Sequence, residues 1–401
     1  MVILVAIVAS VTVPLVYRNP VTSFRADDTD ASDEVGGQRP VVIENTEGTA
    51  IDVFWWDADR EVEEHLMSMP PDDQITVYAG DGDIIVFRRA DDGDHLRSVL
   101  LTGAILDGEA PIYPVLNDPF FDEYMEKNGI PWLNVYPRDP VALHMYGGDT
   151  IGTKEHFRTT FGYWGNDTAG IAPLDLEVET ISTSPRIVRI DNLLSPEECT
   201  AMVAAANSSF ERSQVSDSAF VSEAMYSEDR TSSSFFMAAN VTPGAEHVTR
   251  RILDLMRFPF AGWEDLDRRA EIFQMLHYGP GQEYRAHTDW FAALGEDNCH
   301  DSEILRGRNR FATVFIYLSD VEEGGETAFP LAKGFEYEGS VDEACTYGFR
   351  VRPKLGSAII FYSMLPDGNL DELSLHSGCP VVSGEKYAAN AWFWEPTRYS
   401  S

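Results

Sequence analysis

The chain has 401 residues, more than one ordinary core holds and enough for two domains with linkers. Hydrophobic residues make up 44% and aromatics 11%, which excludes a disordered chain. Against 30 Lys and Arg stand 66 Asp and Glu, a formal charge of -36 that repels phosphate backbones, argues against a nucleic-acid partner and favours basic protein segments.

The chain opens with MVILVAIVASVTVPLV, followed by Tyr17 and Arg18. This apolar run falls a little short of the about 20 residues that span a bilayer. It also lacks the basic lead and small-residue cleavage site of a signal peptide. Its position ahead of a polar stretch still points to a signal anchor or signal peptide over residues 1–18; a buried strand is the alternative. Sequons at Asn166, Asn207 and Asn240 lean the same way. The expected location is an endoplasmic reticulum or Golgi membrane with the catalytic part in the lumen; secreted and cytoplasmic locations are the alternatives. Residues 19–40 are acidic and poor in hydrophobes and read as a flexible linker.

A β pattern begins at residue 41. VVIENTEGTAIDVFWWD and DQITVYAGDGDIIVFRR are β-branched and aromatic runs broken by Gly and Asp turns. They define a small β-sandwich domain over 41–164, with its core in 41–100. A Gly-, Pro-, Ser- and Thr-bearing linker is expected over 165–185. The second domain, 186–398, opens on a short strand with Val188 and Ile190. Ser195 is a helix N-cap, with Pro196 at the first helical position and Glu198 closing a capping box. A second helix is expected over about 243–257, where Val248, Ile252, Leu253 and Met256 share a face. The strands EIFQMLHY, RFATVFIYL, SAIIFYS and YAANAWFW follow. Short strands after helices suit a jelly roll with helical support, so the chain as a whole is mainly β with supporting helices. The four cysteines form no C-x-x-C pair, which argues against structural zinc. Cys299 and Cys345 lie in polar stretches and are the first candidates for a disulfide.

The chemistry concentrates in HYGPGQEYRAHTDWF. Residues two apart in a strand share a face, so His287 and Asp289 project together. With a second imidazole they would make a two-histidine, one-carboxylate triad that leaves metal positions open. An H-x-D alone is a weak signal. A later segment, LHSGCPVVSGEKYAANAWFW, adds His376 and Lys386. A buried lysine near such a metal suits the far carboxylate of a keto acid. Between them, Gly324-Gly325 allows a tight turn before Thr327. His277 has the wrong strand parity for a ligand, and His300 sits in a polar loop.

The ordered segments RIVRIDNLLSPEEC, DRTSSSFF, MLHYGPGQEYRAHTDWF, RFATVFIYLSDVEEGGETAFP, PKLGSAIIFYS and LHSGCPVVSGEKYAANAWFW resemble the motifs of prolyl 4-hydroxylase catalytic domains over about 210 residues. The resemblance implies a double-stranded β-helix with His287, Asp289 and His376 on Fe(2+). It implies Lys386 on the C5 carboxylate of 2-oxoglutarate, with Tyr278 and Thr327 adding hydroxyl hydrogen bonds. Trp392, Arg310 and Arg230 match positions near the substrate. The implied reaction consumes O2 and 2-oxoglutarate, yields succinate and carbon dioxide, and hydroxylates proline in a protein or peptide, with L-ascorbate as reductant. Hydroxylation of another residue or small molecule is the alternative enzyme reading; a non-catalytic scaffold is the alternative from another class. Residues 41–100 resemble the β-domain of the von Hippel-Lindau tumour suppressor, where Trp55 or Trp56 would stand for a tryptophan of the hydroxyproline pocket. DGDIIVF departs from that family by two extra residues and by lacking its His and Trp. A substrate- or product-docking module and a plain interaction or spacer module both remain open.

Overall fold

The computed structural model describes residues 38–395 apart from 109–110, 116–118, 136–139, 165–171, 207–210, 213–230, 259–261, 267–268, 293–298, 335–342, 344 and 347. The expected N-terminal anchor, most of the acidic linker, Arg230 and the sequons at Asn166 and Asn207 lie outside the described residues. Asn240 is exposed in a turn. No helix among the described residues is long and apolar enough to cross a membrane.

The chain divides into two compact units. The first holds a four-stranded antiparallel sheet, in the order Val62–Met69, Ile51–Asp57, Ile84–Arg89, His95–Leu100, and a two-stranded sheet of Arg39–Glu44 with Gln74–Ala79. Alternation explains the packing. Ile51 and Val53 point inward from one strand, Ile75 and Val77 from another, and they share a core with Ile43, Ile85, Phe87 and Val99. Glu63 is forked to Arg88 through two bonds of 2.7 Å, and its second neighbour is His300 at 2.7 Å.

The boundaries differ from the expected ones in two places. The first unit ends at Pro131, and residues 132–164 belong to the second unit, where Tyr146 is part of the core and Lys154–Arg158 pairs with Asp175–Thr183. That last strand occupies the expected linker 165–185; its alternating buried residues Leu176, Val178, Thr180 and Ser182 make it a sheet element despite its polar composition. Conversely, Ala292–Gly307, which interrupts the second unit in sequence, groups with the first: Leu305 packs with Ile84, Val86 and Leu100.

The second unit is a jelly roll. Its large antiparallel sheet has nine strands: Glu211–Arg212, Ser233–Phe236, Ala270–Tyr278, Lys386–Glu395, Asn309–Tyr317, Ala358–Tyr362, Arg186–Ile190, Asp175–Thr183 and Lys154–Arg158. A smaller sheet runs Tyr284–His287, His376–Gly378, Thr327–Phe329, Phe349–Val351. Central strands are buried on both faces, which accounts for the nearly continuous hydrophobic runs FATVFIY and AANAWFW. The helices Pro196–Ala206 and Pro243–Leu255 support the large sheet, burying Cys199, Met202, Val248, Ile252 and Leu253.

The expected capping box is present. Ser195 N–H donates to Glu198 Oε2 at 2.9 Å and Glu198 N–H donates to Ser195 Oγ at 3.2 Å. The same carboxylate meets Arg251 from the second helix at 2.7 and 2.9 Å, with both side chains almost wholly buried. Arg251 also donates to the carbonyls of Leu193, Phe161 and Gly162. The disulfide joins Cys345 to Cys379, not to Cys299, which is buried and outside the bridge. Cys299 belongs by its contacts to the first unit and Cys345 to the second, a division that loop polarity does not reveal.

Arg251→Met leaves the Glu198 carboxylate buried and uncompensated. It should cost about 3–5 kcal/mol of stability, read as a lowered denaturant midpoint with the slope unchanged; a midpoint within error of the parent would contradict this reading of the pair.

Candidate active site

His287 and His376 sit directly opposite each other on paired strands of the small sheet. Their rings lie 4.3 Å apart. Each Nδ1 faces a backbone carbonyl two residues upstream, Arg285 at 2.9 Å and Ser374 at 3.0 Å. A carbonyl only accepts, so each Nδ1 carries a proton and each Nε2 is the ring nitrogen left to face the interior. Tyr284 stacks on His287 at 3.7 Å, and Phe361 packs against His376 at 4.5 Å, which holds the ring planes.

Asp289 completes the group, though not from a strand. The strand stops at His287, and Asp289 stands in the bend that follows. Its carboxylate is 3.9 Å from His287 Nε2 and 3.7 Å from His376 Nε2. The donor atoms of all three lie within 4.8 Å of one another. This is a little wider than donors sharing one ion at about 2.1 Å, and two imidazoles with one carboxylate are the donor set of a non-haem Fe(II) centre. Burial alone would raise the Asp289 carboxyl. The facing His376 and His287, Arg310 and the Thr313 hydroxyl outweigh it and hold the group below the usual carboxylate range.

Lys386 begins the strand Lys386–Glu395 and points into the roll. It is completely buried, and its Nζ has no hydrogen-bond partner among the described residues. The ammonium lies 5.1 Å from the Tyr278 ring, 5.3 Å from Phe315 and 5.9 Å from Tyr317. Burial pushes it down to about 7, with Glu326 opposing weakly. An isolated buried cation is costly, so this cradle fits a carboxylate arriving from outside. Thr327 is buried nearby and accepts from Tyr317 Oη at 2.9 Å, which leaves the Thr327 hydroxyl proton to donate elsewhere. Gly324 makes the turn ahead of it possible: at φ +80° its missing Cβ would stand 2.3 Å from the Pro380 carbonyl.

Arg310 and Trp392 also come together. The guanidinium lies 3.8 Å from the Trp392 ring centroid, is forked to Glu271 at 2.9 Å on both bonds, and reaches the Asp289 carbonyl at 3.4 Å. Trp392 is buried, with no hydrogen-bond partner for its Nε1 among the described residues. The two histidines set aside on sequence grounds stay outside the group: His277 stacks on Tyr387 and faces Glu385, and His300 stacks on Trp56. Sequence reasoning missed Thr313, Tyr317 and Glu271. Thr313 and Tyr317 share an inward row with Phe315 at strand spacing, so the period-2 reading of RFATVFIYL could have found them.

Residues 273–394 match the family model of the 2OG-Fe(II) oxygenase superfamily. The chain is 39% identical over 219 residues to Probable prolyl 4-hydroxylase 10 of Arabidopsis thaliana, covering 54% of this chain and 71% of the relative. It is 38% identical over 220 residues to Prolyl 4-hydroxylase 5 of the same plant, covering 54% and 70%. Among solved structures, the viral collagen prolyl hydroxylase vCPH of Paramecium Bursaria Chlorella virus-1, in its 2OG complex, is 27% identical over 52% of this chain and 96% of that chain, with a TM-score of 0.35. The two curated relatives, each covered over more than two thirds of its length, together with the family model, place the chain in the prolyl 4-hydroxylase family of Fe(II)- and 2-oxoglutarate-dependent dioxygenases.

Proposed function

We propose that His287, Asp289 and His376 hold Fe(II), that Lys386, Tyr278 and Thr327 receive the C5 carboxylate of 2-oxoglutarate, and that Arg310 and Trp392 border the proline of a protein substrate. The unpartnered buried ammonium of Lys386, in the same roll as the converging triad, carries this reading. Bound Fe(II) supplies the activation of O2 that couples decarboxylation of 2-oxoglutarate, giving succinate and carbon dioxide, to hydroxylation of the proline ring; ascorbate maintains the ferrous state. The protein's part is placement. The Nδ1 bonds fix the direction in which both imidazoles aim, the aromatic walls around Lys386 exclude water, and the Glu271 fork fixes Arg310 against Trp392.

The substrate we favour is a proline-rich protein of the secretory pathway, modified by an enzyme anchored through residues 1–18 with its catalytic unit in the lumen. The Cys345–Cys379 disulfide, the exposed sequon at Asn240 and the apolar N-terminus support this location. For the first unit we favour an interaction or spacer role over a hydroxyproline pocket. Trp55 is buried in its sheet, and Trp56 is stacked on His300 at 3.7 Å, which suits packing roles for both rings.

The purified protein, given Fe(II), 2-oxoglutarate and ascorbate, should add one oxygen to proline in a Pro-rich peptide panel, located at C4 by fragmentation mass spectrometry, and His287→Ala should abolish the addition. Oxygen found on another residue would redirect the substrate assignment. In intact microsomes the catalytic unit should resist added protease and carry a glycan removable by endoglycosidase; cleavage without detergent would refute the lumenal placement.

The lysine gives a pH signature. Above pH about 7 the free ammonium loses its proton while the carboxylate-bound form keeps it. Affinity for 2-oxoglutarate should therefore weaken by about tenfold per pH unit between pH 7 and 9. Lys386→Met should lose that slope and bind about 10- to 100-fold more weakly at pH 7. Calorimetric titration with a redox-inert metal in the site reads both, and a flat wild-type profile would remove Lys386 from the anion site.

A further inference from the structure

Thr313 stands on the inward row of the strand Asn309–Tyr317, opposite Phe361 on one side and Trp392 on the other. It is completely buried. Its hydroxyl donates to Asp289 Oδ2 at 2.5 Å, the short range of an O–H bond to a carboxylate. The hydroxyl stands between the large sheet and the ligand-bearing bend, so the bond joins the strand of one sheet to the carboxylate carried by the other. Arg310 holds the Asp289 carbonyl at the same time, so side chain and backbone of this residue are both tied to one strand.

The consequence follows from coordination chemistry. An octahedral ion held by two imidazoles and one carboxylate oxygen keeps three positions open. On the proposed function the keto acid end of 2-oxoglutarate would take two of them and leave the third for O2. A carboxylate binding through both oxygens would close one of them. Asp289 has both oxygens close to the histidine pair, Oδ1 at 3.9 Å from His287 Nε2 and Oδ2 at 3.7 Å from His376 Nε2, so the carboxylate by itself does not choose. We infer that Thr313 is a positioning residue that engages Oδ2 and restricts Asp289 to ligation through Oδ1, which keeps the third position available. This inference rests on the proposed ligand set and adds a role for a residue outside it.

The test uses the full chain, loaded with Co(II) for metal affinity and, without oxygen, with Fe(II) and saturating 2-oxoglutarate for occupancy of the third position. Cobalt affinity by calorimetry and the affinity for nitric oxide, a surrogate for O2, by absorption are measured for the parent, Thr313→Val, Thr313→Ser and Asp289→Ala. Releasing Oδ2 lets the carboxylate chelate. Thr313→Val should therefore bind cobalt at least as tightly as the parent and nitric oxide about tenfold more weakly, while Thr313→Ser, which keeps the hydroxyl, should match the parent within about twofold. Should the valine variant fail to fold, Thr313→Ala is read the same way. Weaker cobalt binding in the valine variant, unchanged nitric oxide affinity, or a serine variant that behaves like valine would each overturn the inference. Asp289→Ala separates the two levels: if it keeps parental cobalt affinity, the ligand assignment itself has failed.

Discussion

The site depends on one pairing: His287 and His376 occupy facing positions on antiparallel strands. A slip of one residue in that register would turn one of the two imidazoles to the opposite face of the sheet, and no later element could restore it. Two features hold the register. The disulfide ties Cys379, three residues beyond His376, to Cys345, and Gly324 lets its turn close against the Pro380 carbonyl where any side chain would collide. Asp289 is placed differently. It leaves the strand and is fixed through contacts to the neighbouring sheet, so the ligand group depends on the two sheets of the roll lying at their proper separation.

The second organising element is a charge without a companion. Lys386 is buried among Tyr278, Phe315 and Tyr317, with only Glu326 exerting an opposing field. A folded protein tolerates such a group when the surrounding packing is strong, and here the strand that carries it is buried along its length. The cost of that burial would be offset by an entering anion, and on the proposed function that anion is the co-substrate. The Tyr317–Thr327 bond shows the same economy: the tyrosine satisfies the threonine oxygen and orients its remaining proton.

Much of this was legible in the chain. The strand runs and the capping box at Ser195 follow from period and capping chemistry, and the structure has them where the sequence places them. His287-x-Asp289 marks a pair that the fold does bring together, though the aspartate reaches its neighbours from a bend and not from the strand. The disulfide could not be read, because pairing depends on which loops the tertiary fold brings together, and Cys299 belongs to a segment that packs with the other unit. The strand Asp175–Thr183 was hidden by its Glu and Thr content, a half-buried edge pattern that resembles a linker until its alternation is counted. Thr313 was passed over because a threonine in a buried strand reads as packing until the carboxylate beside it is known.

The most direct test of the central claim is anaerobic titration of the Fe(II)-loaded protein with 2-oxoglutarate, following the visible metal-to-ligand charge-transfer absorption of a chelated keto acid. The wild-type chain should develop the band and saturate at one equivalent of iron and one of 2-oxoglutarate. A His376→Ala chain that is folded but shows no band would agree with the account; one that develops the full wild-type band would contradict it.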